Sequence, residues 1–472
     1  MGGFRDFWGL GVRHIQVLLL FSCALVNQVL LSGLEAVIIM VESETAPNSN
    51  YTLYEDAFRT IVKGSTVSGR NNLADAINYT KIIGYFIGGI LSVKANPKFT
   101  LLFATVALSF IPYIIPTMTN NYGFNVLYFV RFYQGIFYGI IWPTIGIILS
   151  KWVPYTELAR SMSLIISAPV LGKSIVILLG KFLQTSVGGW SSLFYISGNV
   201  GILWVVAWAF FGFPDHFKCF YITPAEKFYI DKLTYDIHPT YKGIKIPWRE
   251  VIRCKPFYGC MLEALFSNWA YDFARSARFF QTYLVNYLEL SDERALYYIS
   301  LLPIFFIVEQ MIVGTMVDIM HSKERYPLIH LRKTCNSIGL WGSSICLFFI
   351  CYIQSAGSGV IFYNLMLFTT AFNNVGAWLT HFDLAPNFSG FLIGFTKTMG
   401  NIPLLFWRMF MTSVLMIDMQ EKDWCLTYFS AGVSLLIGNF MYIVLANDEL
   451  QKFNKIISLD NRDDSTMTLT LK

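Results

Sequence analysis

Charge is what this sequence of 472 residues has least of. Asp, Glu, Lys and Arg together make up 14%, where a soluble chain carries about 25%, so an ordinary water-facing globular surface is excluded. Metal-ligand spacing is lacking as well. The eight cysteines stand at 23, 219, 254, 260, 335, 346, 351 and 425, and the six histidines are equally scattered. Neither set forms a zinc pattern or a disulfide framework. No His/Asp cluster supports a membrane-embedded transferase, so the chain reads as a non-enzyme with no cofactor and no metal. The net charge of +5 has an ordinary membrane explanation and implies no nucleic-acid partner. No small-residue cleavage site follows the first apolar run at about 15–41. That run is too long for a signal-peptide core and reads as a retained span.

What is present is apolar sequence, 55% of the chain. Runs of membrane-crossing length recur from end to end, the pattern of an all-α polytopic membrane protein embedded in the lipid bilayer. Twelve spans are expected, at about 15–41, 76–93, 99–117, 124–150, 163–183 and 194–213, then 257–286, 296–317, 334–352, 359–380, 389–416 and 425–446. The division is a six-helix half over 1–213, a charged cytosolic linker over 214–255, a second six-helix half over 256–446 and a disordered cytosolic tail over 447–472. With both termini and the linker in the cytosol, inner segments carry 22 Lys and Arg and outer segments 5, the asymmetry of the positive-inside rule. The long first loop is then outside, where Asn50-Tyr51-Thr52 is a glycosylation sequon.

The stretch from Val130 to Leu164 holds the first functional candidates. Arg131, Gln134, Tyr138 and Trp142 recur at three- and four-residue spacing and share a helix face. Gly135 and Gly139 form a small-xxx-small pair that admits a close neighbour. Other basic residues inside spans are Lys81, Lys173, Lys181, Arg275, Arg278, Lys397 and Arg408, against few acids: Glu35, Asp272, Glu309 and, nearer an end, Glu263. Charge at bilayer depth usually faces protein or a watery cavity, and an excess of cations suits a path for anions. Lys81 and Lys181 also read as snorkelling side chains, and Asp272 with Arg275 as a pair along one helix. The candidates for holding an anion are Arg131, Gln134, Tyr138, Arg275, Arg278 and Lys173. Glu309 is the candidate for coupling to a cation.

Several motifs carry a family resemblance. Arg131 with Gln134-Gly135, Trp142-Pro143, Ser150-Lys151-Trp152-Val153-Pro154 and Glu157 resemble the fourth span and following loop of the anion:cation symporter family. Gly189-Trp190 with Phe194-Tyr195, Ile246-Pro247-Trp248, Asn268-Trp269 and His381-Phe382-Asp383-Leu384-Ala385-Pro386 extend the likeness over nearly the whole chain. That family belongs to the major facilitator superfamily and includes type I phosphate cotransporters, sialin and vesicular glutamate transporters; the insect inorganic phosphate cotransporters are the nearest group. The resemblance implies twelve transmembrane helices in two six-helix halves working by alternating access. Gly314 to Asp318 resembles the superfamily's gating motif, and Glu157, Arg160, Asp318 and Asp383 are the gating candidates. The departures are specific. Family members carry a span 1 arginine that is absent here, and Tyr138 stands where a coupling glutamate is expected. A tyrosine of reference pKa about 10 does not exchange protons near neutral pH, so transport is expected to depend weakly on pH and to be driven by sodium, membrane potential or the anion gradient; steep proton-driven accumulation would require another group such as Glu309.

These readings converge on a secondary transporter of a small organic or inorganic anion such as phosphate. Sodium or a proton is the possible coupling ion, the protein is a monomer, and it sits in the plasma membrane or an intracellular vesicle membrane. The alternative is a diverged, non-transporting sensor or scaffold. The orientation is checked with tags: those at either terminus should react only after the membrane is permeabilised, and Asn50→Gln should remove a glycan. Tags reacting on intact cells, with the protein at the plasma membrane, would overturn it.

Overall fold

The structure, a computed structural model, describes residues 11–43, 67–123, 125–184, 189–234, 245–274, 280–281, 283–323, 326–414 and 421–455. The first half consists of α1 (Val12–Ser43), α2 (Val67–Lys94), α3 (Pro97–Tyr122), α4 (Val126–Trp152), α5 (Leu158–Gln184) and α6 (Gly189–Phe211). Two short linker helices follow, α7 (Pro224–Leu233) and α8 (Trp248–Ile252). The second half consists of α9 (Lys255–Ala274), a π-helical turn (Tyr283–Tyr287), α10 (Asp292–Ser322), α11 (Leu328–Ile350), α12 (Ala356–Val375), α13 (Ala377–Leu384), α14 (Ser389–Val414) and α15 (Glu421–Leu445). Among the described residues there is no strand. Eight helices among the described residues (α1–α6, α10 and α15) are individually long and apolar enough to cross a membrane. The membrane-crossing part of α2 is Ala76–Lys94, as expected, and the helix extends beyond it to Val67.

Local chemistry sets several boundaries. Asn96 accepts the Lys98 N–H and Pro97 opens α3; Thr223 and Pro224 repeat the arrangement at α7. Both follow the preference for a capping side chain with proline in the first turn. Prolines 112, 116, 143, 169 and 403 lie inside long helices, where packing against neighbours offsets the lost backbone bond.

Within the first half, α2 packs on α4 through the glycines that the sequence singles out. A methyl group placed on Gly139 would lie 2.7 Å from the Gly84 backbone and from the Lys81 carbonyl oxygen. Between the halves, α2 and α4 meet α14, and α5 meets α10. Gly89 and Gly394 are in backbone contact, Thr398 Oγ1 reaches the Ile82 carbonyl at 3.5 Å and Ser389 Oγ reaches that of Gly146 at 3.5 Å.

The linker and carboxy-terminal segment close one end of the bundle. Trp248 packs edge-on against Phe391 with centroids 5.0 Å apart. Residues 447–455, read from composition as the start of a disordered tail, are held by hydrogen bonds. Gln451 N–H donates to the Leu384 carbonyl, Asn387 N–H to the Asn454 side chain and Ile329 N–H to Asp448.

Overpacking a tight helix contact costs about 1–3 kcal/mol. Gly139→Val should therefore lower the thermal unfolding midpoint of the detergent-solubilised protein, while Gly357→Ala, whose added methyl meets only the Ser355 hydroxyl at 3.9 Å, should not. Equal midpoints would disprove the close α2–α4 approach.

Candidate functional site

Two sets of polar side chains stand out, one at the terminus-bearing end and one deeper between the halves. The first is a charged lattice. The Arg13 guanidinium donates to both oxygens of Glu157, at 2.9 and 3.2 Å, and to Glu226 at 3.2 Å. Glu226, carried on linker helix α7, also accepts the Val12 and Arg13 N–H groups, both at 3.0 Å. It thereby caps the positive end of α1. Glu157 further binds Arg160 at 2.9 Å and accepts the Tyr229 hydroxyl at 3.3 Å. Asp318 arrives from the other half. Its two oxygens accept the Ala159 and Arg160 N–H groups, each at 3.0 Å, so one half's carboxylate caps the other half's α5.

Burial works against the Glu157 charge. The hydrogen bond and charge of Arg13, then the charge of Arg160, outweigh it and hold the carboxyl below the usual carboxylate range. A carboxyl depressed in this way contributes stability that is complete above its unfolded value of about 4.3. That contribution is lost as pH falls through the folded value.

Three of the four expected gating residues, Glu157, Arg160 and Asp318, thus meet in one network. Asp383 does not join it. It pairs with Arg332 inside the second half, at 2.9 and 3.3 Å, while Arg332 also donates to the Val375 carbonyl. Sequence reasoning missed Arg13, Glu226 and Arg332, because nothing local marks them out from other charges near span ends.

The deeper set surrounds α4. Arg131 is only 3% exposed. Its Nη1 donates to the Leu31 carbonyl at 2.8 Å and to Gln134 Oε1 at 3.1 Å, and Gln134 donates to the Leu30 carbonyl at 3.3 Å. Both side chains therefore bind α4 to α1. The Tyr138 hydroxyl donates to Gln28 at 3.1 Å, and Gln28 donates to Ser32 at 2.7 Å. Lys173 is paired with Glu35 at 2.8 Å. Glu309 accepts from Asn364 at 3.0 Å. Arg275, Arg278 and Asn50 lie outside the described residues.

Residues less prominent in the sequence complete the picture. The Lys81 ammonium stands over the Tyr138 ring, 5.1 Å from its centroid, and bonds Asn78 at 3.2 Å. It also interacts electrostatically with Asp272 of α9, from the other half. The Lys397 ammonium stands 3.9 Å from the centroid of Trp378. Trp378 in turn meets Trp142 across the two halves, with centroids 6.2 Å apart. At 3.6 residues per turn, Trp142 lies on the side of α4 opposite the exposed Tyr133, so it points inward. Trp378 is half-buried within an otherwise fully buried run. His381 bridges the Trp378 carbonyl and Thr396, at 2.9 Å each, and so fixes this corner.

Asp318→Asn removes a charge-assisted cap; such bonds contribute about 1.5–3 kcal/mol, and tenfold corresponds to about 1.4 kcal/mol. Amide exchange at Ala159 and Arg160 should accelerate by about tenfold or more, with α3 unaffected. Unchanged exchange there would remove Asp318 from the contact between halves.

The pattern of the Major Facilitator Superfamily matches residues 72–407. A Drosophila ananassae protein named "Putative inorganic phosphate cotransporter" is 26% identical over 79% of this chain and 78% of its own length. Sialin of Ovis aries is 24% identical over 89% of this chain and 86% of its own. Among solved structures, the proton:xylose symporter XylE superposes with a TM-score of 0.63 at 13% identity, covering 93% of this chain and 97% of that one. This last likeness concerns the fold alone. The matches favour a transporter over a non-transporting scaffold, and the chain belongs to the Major Facilitator Superfamily as a multi-pass secondary transporter with relatives in the anion:cation symporter family.

Proposed function

We propose that this transporter moves a small organic anion by alternating access, and that the anion is held between Lys81 and Lys397. One observation carries the reading. These two cations come from opposite halves, beside the same seam: each is the chain neighbour of a residue in the Ile82–Thr398 contact. Each stands over an aromatic ring, and each is half-buried. A cation over a ring face keeps its charge available while part of its hydration is replaced. With Trp142 and Trp378 beside them, the pair offers charge and apolar area together, which suits a carboxylate with a carbon body better than bare phosphate. A solute bridging the two halves binds more tightly to the converged state, and such differential binding is what shifts a conformational equilibrium.

Arg131 takes a different role in this reading. With its Nη1 on the Leu31 carbonyl and Gln134, it clamps α1 to α4 where the family's span 1 arginine is absent. Asp318 on the start of α5, with Glu157 and Arg160 behind it, is the latch that must part when the terminus-bearing end opens. The 22-to-5 distribution of basic residues supports a cytosolic placement of that end. Relatives named for phosphate leave inorganic phosphate as the competing solute, and sodium or a proton as the driving ion.

Uptake by proteoliposomes given phosphate, glutamate, sialate and urate tests the reading. An organic anion should accumulate, and excess phosphate should not compete. Lys397→Gln should raise the apparent KM about tenfold or more, by loss of a charge-assisted contact, with expression unchanged. Arg131→Ala should lower the amount of folded protein at the membrane, because the Leu31 carbonyl loses a buried donor. Uptake of phosphate alone, or a normally folded Arg131→Ala with lost uptake, would reverse these assignments.

A further inference from the structure

Glu309 and Asn364 face each other between α10 and α12. Asn364 Nδ2 donates to Glu309 Oε1 at 3.0 Å. The remaining polar atoms, Glu309 Oε2 and Asn364 Oδ1, are both buried and neither has a hydrogen-bond partner among the described residues. Two buried acceptors without a donor are costly, and a bare carboxylate and an amide oxygen have no proton to share.

One added proton resolves both. On Oε2 it forms a covalent O–H bond, converts that oxygen into a donor and allows it to bond Asn364 Oδ1. Acid and amide then make two complementary hydrogen bonds in a closed ring. Turning the Asn364 amide over does not remove the requirement, since its oxygen would then face Oε1 and again need a proton between them. We propose that Glu309 and Asn364 form a proton-binding site, the acid–amide pair closing when Glu309 takes up a proton and opening when it releases one. The inference rests on the transport reading only in making this proton the one that is coupled; the site itself stands on the pair's geometry.

Among the described residues, the charges of the neighbouring elements are engaged elsewhere. The elements packed against α10 are α5, α11, α12 and the π-helical turn, and no charged side chain among the described residues interacts with Glu309. Lys173 of α5 is held by Glu35, Arg332 of α11 by Asp383, and the Tyr283 hydroxyl by the Ile350 carbonyl. Tyr363, next to Asn364 on α12, stacks on Phe280. Arg160 of α5 lies at the latch, on Glu157 and the Asp318 contact. A bound sodium ion is the poorer occupant, since hard cations gather several oxygens and the pair leaves two without a bond, Glu309 Oε2 and Asn364 Oδ1.

The site fits the sequence. Tyr138 occupies the span 4 position where a coupling glutamate is expected, so a proton would need another carboxyl. Glu309 stands in the second half, in a helix that packs on α5 along the seam between halves, where a change in bonding can bias opening.

Infrared difference spectra of the purified full-length protein in lipid, recorded between acid and alkaline buffer, read the proton directly. The wild type should show the C=O band of a hydrogen-bonded carboxylic acid that vanishes at high pH. Glu309→Gln, matched for helicity and thermal unfolding, should lack it. Asn364→Leu should keep an acid band, moved toward the frequency of a free carboxyl. A Glu309→Gln spectrum identical to wild type overturns the site, as does removal of the band by sodium at constant pH. No transported solute enters this measurement. An intact band without any uptake would therefore sink the transport reading and leave the proton site standing.

Discussion

Asp318 resting on the first turn of α5 is the interaction on which the observed arrangement depends. A carboxylate at a helix amino terminus meets both unpaired N–H groups and a favourable dipole, and here it comes from the opposite half. The two halves can approach this closely only because small residues line the seam, with Gly89 against Gly394 and Gly314 against Ala159 and Arg160. Behind the latch, Glu157 is shared between Arg13 and Arg160, and Arg13 is also held by Glu226 of the linker. The linker is thus part of the closed end, tying the start of α1 to the loop before α5.

The bilayer explains how the remaining charges are arranged. A charge inside the membrane must find a partner or water, and the cations of the first half find different ones. Arg131 is spent on the Leu31 carbonyl and the Gln134 side chain, Lys173 on Glu35, and Lys81 on an asparagine and an aromatic face. The last arrangement keeps a cation half-buried beside the seam and within electrostatic reach of Asp272 in the opposite half, and Lys397 has the same kind of seat on Trp378. The choice of binding residues follows from this division. An arginine whose Nη1 is held by Leu31 and Gln134 ties α1 to α4, while a lysine resting on a ring keeps its ammonium toward the seam.

Asp318 at the latch and Asp272 near Lys81 reach the opposite half, whereas Glu263, Asp383 and Glu309 have partners within the second half. Glu263 is bonded to Asn373 and through it joins Asn336 and Asn439 in a buried chain across α9, α12, α11 and α15. Asp383 is neutralised by Arg332. Glu309 alone among these three faces an amide with one bond made and one open, a setting that suits a group whose proton comes and goes rather than a fixed structural tie.

The sequence by itself determined the class, because the physical signals involved are local or additive. Scarce charge, recurring apolar runs and a polar segment in the middle dictate a helical membrane protein in two halves, and Gly135 and Gly139 foretold the close α2–α4 contact. Motifs around Arg131 and His381 pointed to the family through neighbouring residues. What the tertiary structure decided is partnership. Whether Arg131 meets a solute or the Leu31 carbonyl, whether Asp383 or Asp318 spans the halves, and which ring Lys397 stands over depend on contacts between residues far apart in the chain. Helical periodicity says which face a side chain occupies, but the low dielectric of the interior makes its partner decisive, and only the packed bundle supplies that partner.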